Sequence, residues 1–194
     1  MRVNLLISFV LASLLLTTLS FASVGQQASA TPRTAQPQLT NLPASVLDAE
    51  LKSARGRPFR LSDYSGKVLV VNLWATWVGP SRLEAPELVK LQAHFWSQGV
   101  RMVGLSTEDP EMSADEIHVW VRNFRIQYRI GWATSGAAIT LMQGRDVLPQ
   151  TLVISRSGRI VRRFVGFNST VTPGLWKEAI QEALNEKAGS PKQD

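Results

Sequence analysis

Ser81, His94 and His118 are side chains whose types could support nucleophilic or metal chemistry, and their placement supports neither. An activated serine needs a base within hydrogen-bond reach. Both histidines lie on predicted helices well removed from Ser81, and no Gly-x-Ser-x-Gly elbow surrounds it. With 2 histidines and 0 cysteines in 194 residues, no ligand-spaced metal cluster forms, and neither a metal nor a cofactor is expected. The acidic run Glu108, Asp109, Glu111, Asp115 and Glu116 reads as a solvated loop entering a helix N-terminus, where carboxylates are favoured. What stands out is an aromatic loop without a reactive atom, Trp74-Ala75-Thr76-Trp77-Val78-Gly79-Pro80-Ser81-Arg82.

The elements around that loop are legible. Val68 to Trp74 is a continuous β-branched and apolar run, the pattern of a strand buried on both faces. A helix follows to about Ser97, with Ser81 or a neighbour as its cap, Pro86 in its first turns, and Leu88, Leu91, Phe95 and Trp96 on one face. Val100 to Ser106 is a second strand. Ser113 and Glu116 read as a capping box, with Met112 and Ile117 as its staple, opening a helix whose buried stripe is Ile117, Trp120, Val121 and Phe124. A short helix from about Gly136 to Gln143 precedes Val147-Leu148-Pro149. Gln150 to Ser155 and Arg159 to Val165 flank a turn at Gly158 and form a hairpin. Strand alternation puts Arg159 and Arg163 on one side and Arg162 on the other. Thr172 and Pro173 open a final helix lined by Trp176, Ile180, Ala183 and Leu184. Upstream, Leu47 to Lys52 and Pro58 to Leu61 read as an opening hairpin.

This order resembles the thioredoxin fold of the TlpA and ResA type, the redoxin-like exported thiol-disulfide oxidoreductases. The resemblance covers residues 46–187 and is carried by Asn72-Leu73-Trp74-Ala75-Thr76-Trp77, Gly79-Pro80, Pro86, Pro149 and Gly158. It implies an α/β fold, a central mixed β-sheet flanked by helices with an N-terminal β-hairpin. In that family the loop reads Trp-x-x-Trp-Cys-x-x-Cys, and the first cysteine attacks as a thiolate whose pKa is lowered from about 8.5. By resemblance, Val78 and Ser81 stand at the two cysteine positions, so no catalytic residue is assigned. The proline matching Pro149 is cis in the family, and Leu148 before it would offer backbone groups to an extended peptide, a contact that needs no sulfur. Peptide-binding candidates are therefore Trp77, Val78, Gly79, Pro80, Leu148 and Pro149. Plainer readings stand beside them: Pro149 fixing a turn, Trp77 an exposed aromatic, Ser81 a helix cap. Asn72 cannot act as a base.

The flanks bound location and partners. Residues 1–22 carry one early cation, Arg2, and an apolar run from Leu5 to Phe21 broken only by Ser and Thr, the pattern of a secretory signal. Ser20 and Ala22, or Ala28 and Ala30, offer small residues for cleavage. The run is also at the ~18-residue margin for a retained membrane anchor through residues 5–22. Residues 23–45, rich in Ala, Gln, Thr and Pro, read as a flexible linker, and residues 188–194 as a polar tail. A formal charge of +6 suits anionic lipid, cell-wall polymer or an acidic partner. Export makes nucleic acid an unsuitable target.

Three functions are compatible with these readings: a non-redox binder of a peptide or protein in the cell envelope, extracytoplasmic or periplasmic; an oxidoreductase as in the family; and a structural subunit of an envelope complex.

Overall fold

A computed structural model describes residues 41–186. The signal or anchor at 1–22, most of the linker and the polar tail lie outside them. Five strands form one mixed sheet in the order β3-β2-β1-β4-β5: β1 Val68–Trp74, β2 Val100–Ser106, β3 Arg129–Trp132, β4 Gln150–Ile154 and β5 Ile160–Val165. β1 runs parallel to β2 and antiparallel to β4, which makes it the central strand and explains why all its residues are buried. The edge strand β3, parallel to β2, has no counterpart in the sequence reading.

Side-chain alternation along β1 feeds two cores. Val68, Val70 and Trp74 face helices α2 (Gly79–Phe95), α3 (Pro110–Asn123) and α5 (Thr172–Asn185), packing with Leu88, Ile117, Trp120 and Trp176. Leu69, Val71 and Leu73 face the opposite layer, where α4 (Ser135–Met142) and the N-terminal segment contribute Leu141, Val46, Leu51 and Phe59. Asn72 falls on the first of these faces, among apolar neighbours.

The N-terminal hairpin reduces to one residue pair. Leu51 and Phe59 exchange two backbone hydrogen bonds of 2.8 and 3.1 Å, and Ser53 then bridges to Gly131 in β3. Leu47, expected in a strand, ends the short helix α1 (Ala44–Leu47). Packing begins before Val46: Asn41 pairs with Arg159, and Leu42 is buried. Gly131 allows the crossing, because a Cβ there would collide with the Lys52 carbonyl oxygen.

Helix starts are also revised. The first residue of α2 is Gly79 and its cap is Val78, whose side chain makes no capping bond. Ser81 lies inside the first turn, so it is not the cap. Asp109, not Ser113, caps α3, accepting from the amides of Glu111 and Met112, with Pro110 in the first turn where its missing N–H costs nothing. Met112 is 83% exposed and staples nothing. Trp96, expected on the buried face of α2, leaves the helix in a 3-10 turn and is 53% exposed.

A register shift at Val153/Ile154 reassigns the hairpin arginines. Arg159 and Arg162 both reach α5, pairing with Glu186 and Glu182, while Arg163 turns the other way and donates to the Leu141 carbonyl of α4. The extra residue of the bulge inverts the alternation that an unbroken strand would give.

Candidate functional site

The loop at the C-terminal end of β1 gathers the residues singled out by the sequence. Trp77 is 74% exposed, Val78 half-buried, and Gly79 and Pro80 exposed. The Leu148–Pro149 peptide is cis. Leu73 pairs with Gln150 in the β1–β4 ladder, so continuing the antiparallel register one step sets Pro149 across from Trp74, at the base of the loop. Leu148 is half-buried against the core and Pro149 buried. The half-buried and exposed members of this group are the ones within a ligand's reach.

Two carboxylates organise the site: Glu84, which the sequence reading did not single out, and Glu108, which it placed in a solvated acidic loop and which is instead part-buried and bonded. Glu108 pins the loop to the end of β2: it accepts from the Thr76 amide at 2.8 Å, the Thr76 hydroxyl at 2.6 Å and the Ser106 hydroxyl at 3.0 Å. Such a network fixes the loop because three donors converge on one charged group. Glu84 lies beneath the loop, 1% exposed, one turn of α2 after Ser81. Asn72 Nδ2 donates to its Oε1 at 2.7 Å and reaches Thr151 Oγ1 at 3.2 Å.

Among the described residues neither Glu84 Oε2 nor Ser81 Oγ has a hydrogen-bond partner. Both residues line a void with Asn72, Trp74, Trp120 and Tyr128 that is too narrow for a water molecule. Burial therefore dominates the titration of Glu84: its pKa is pushed up to about 8, against the smaller lowering effect of the Asn72 bond. At neutral pH this is a neutral carboxylic acid, and the Asn72 bond serves its carbonyl oxygen. The Tyr128 hydroxyl is pushed upward too, first by burial and second by Glu84.

Serine chemistry fails on this geometry. Ser81 is 1% exposed, out of reach of a substrate. His118 Nε2 sits 2.9 Å from the Ala54 carbonyl oxygen and must donate to it, while His94 packs edge-on to Phe95 at the far end of α2. The acidic run is divided among separate tasks: Glu108 holds the loop, Asp109 caps α3 and Glu111 pairs with Lys52.

With the fold and loop in place, the AhpC/TSA family model matches residues 43–163. The chain belongs to the AhpC/TSA family. Among similar proteins, the thiol-disulfide oxidoreductase ResA of Bacillus thuringiensis subsp. konkukian is 27% identical over 134 residues, 68% of this chain and 69% of its own length. The thiol:disulfide interchange protein DsbE of Pseudomonas aeruginosa is 29% identical over 129 residues, 64% of this chain and 66% of its own. The crystal structure of a putative DsbE from Chlorobium tepidum superposes with a TM-score of 0.65 at 21% identity, covering 76% of this chain and 97% of that one. That likeness establishes the thioredoxin fold expected from the loop and strand order. This member of the family contains no cysteine.

Proposed function

We propose that this protein is a cysteine-less thioredoxin-fold component of the cell envelope that binds a peptide or protein at the former active-site face without redox catalysis. The observation that carries the reading is the pairing of a retained loop with absent sulfur. Thiol-disulfide exchange passes through a mixed disulfide, which requires a sulfur on the attacking chain. Val78 and Ser81 cannot supply one. Exposed Trp77 and half-buried Val78 nevertheless stay on a loop held by Glu108, with half-buried Leu148 in the segment that enters β4. An extended segment could add its backbone beside Leu148 and cover the aromatic. Placement in the envelope rests on the apolar run from Leu5 to Phe21, which lies outside the described residues.

The second reading is oxidoreductase activity as in the names of the relatives, favoured by family membership. Insulin disulfide reduction separates the two. With the dithiothreitol background subtracted, the protein should give no catalytic rate; a sustained rate would establish the second reading. For binding, affinity for an envelope partner should fall on Trp77→Ala or Val78→Asp.

A further inference from the structure

A second concave surface opens at the starts of β2 and β3. Arg101 lies level with Leu69 at the beginning of β1, five residues back from the Trp74–Ser106 pair, about 17 Å along the strand from the loop. Arg55, Arg101 and Arg129 line a cleft of about 380 Å³ whose lining contains no carboxylate. Among the described residues none of these three arginines makes an ion pair, whereas Arg159 and Arg162 do.

Two of the guanidinium groups are held in place. Arg101 stacks 3.7 Å from the Trp96 ring centroid, and its Nη1 donates to the carbonyls of Trp96 and Val100 at 3.1 and 2.8 Å. Arg129 lies 5.4 Å from the Phe59 ring centroid, and its Nη1 donates to the Arg55 carbonyl at 3.2 Å and Ser53 Oγ at 3.3 Å. A guanidinium carries five N–H donors, so bonds made at Nη1 leave Nη2 and Nε for a ligand. Preplaced forks without a carboxylate are a receptor for a planar or tetrahedral anion.

An adjoining cleft of about 400 Å³ shares Trp96, Gln127 and Tyr128 with the first and extends past Val89, Gln92 and Ala93. The two features together specify one chemistry: an anionic head at the arginines and an apolar body along Val89, Ala93 and Trp96.

We propose that these adjoining clefts bind a soluble, single-chain anionic amphiphile, a carboxylate head on one acyl chain. The size of each cleft is that of a small-molecule site. Charge complementarity sets the sign of the head.

Isothermal titration with N-lauroylglycine, below its micelle concentration, tests this on the full protein. Saturable one-to-one binding is expected. Arg101→Gln with Arg129→Gln should weaken it by about tenfold or more, the usual consequence of losing charge-assisted hydrogen bonds. Lauroylcholine, with the same acyl chain and a cationic head, should show no saturable binding to the native protein. The probe pair on native protein keeps the test valid if an arginine variant fails to fold. Absence of saturable binding, equal affinity in a folded double arginine variant, or equal affinity for the two probes would overturn the assignment. So would binding to phosphatidylglycerol vesicles without binding of the monomeric probe.

Discussion

Two regions that hold ionisable side chains, the hairpin face and the interior beneath the loop, are built to opposite standards. On the hairpin side two of the arginines that reach α5 find carboxylates, Arg159 pairing with Glu186 at 2.9 Å and Arg162 with Glu182 at 3.2 Å and Glu178 at 3.7 Å, while Arg156 donates to the Leu184 carbonyl at 2.8 Å. Glu186 is correspondingly held below the usual carboxylate range, first by its bond with Arg159. Beneath the loop the opposite holds. Among the described residues Glu84 is buried without a counter-ion, and Ser81 has a hydroxyl with no partner. Exposed pairs contribute little and break cheaply, whereas a buried unpaired acid is expensive to ionise. The difference marks the loop as the place where the fold keeps polar groups that packing alone does not require.

The largest effect should come from restoring the sulfur. Val78→Cys combined with Ser81→Cys places a dithiol at the start of α2, where the helix N-terminus favours a thiolate. Insulin reduction is expected to rise from no rate to a measurable one. An inert double variant that nonetheless forms its disulfide would mean the loop no longer holds a reactive geometry.

Next is the titration of Glu84. An acid whose folded pKa lies above its unfolded value makes the native state bind the extra proton, so stability falls as pH rises between the two values and is level above the folded one. With the folded pKa near 8 and the ordinary value 4.5, the native protein should lose stability from about pH 5 to pH 8. The loss is on the order of a few kcal/mol at ~1.4 kcal/mol per pKa unit. Glu84→Gln should flatten that profile in urea-unfolding midpoints and be the more stable protein at pH 8. A slope unchanged by the substitution would show that another group titrates.

Glu108→Gln should cost about 1–3 kcal/mol, because donors at Thr76 and Ser106 lose a charged acceptor. Hydrogen exchange at the Thr76 amide should accelerate with it. On the hairpin side, Arg162→Ala should cost under about 1 kcal/mol, shrinking further in salt. A cost above that of Glu108→Gln would invert the contrast between the two regions.

Much of this was legible from residues alone, and the failures have specific causes. β1 and its loop were readable because a doubly buried strand has no polar interruption except Asn72. The thioredoxin order followed from the proline and hairpin downstream. Glu84 escaped because an acid near a helix start reads as a surface charge. Its signal was present: the buried stripe at Leu88, Leu91 and Phe95, traced backward at spacings of 3 or 4, passes through Ala85, Glu84 and Ser81. β3 escaped because it is only 4 residues long and contains Gly131, a residue that normally weakens strands and here admits a crossing backbone. The cap of α3 was misplaced although Asp109-Pro110 is the stronger signal. Ser113 instead donates to the Asp109 carbonyl and accepts from Trp132 Nε1, a tertiary contact that local spacing cannot reveal. The arginine faces were inverted by a bulge, which strand periodicity also cannot reveal.

Binding at the loop without redox chemistry is tested most directly by quantitative affinity capture from an envelope extract, comparing the native protein with its Trp77→Ala and Val78→Asp variants, each first shown to be folded. The expected result is a partner held by the native protein and lost from both variants; the same partner held equally by all three would contradict a binding role for the former active-site face.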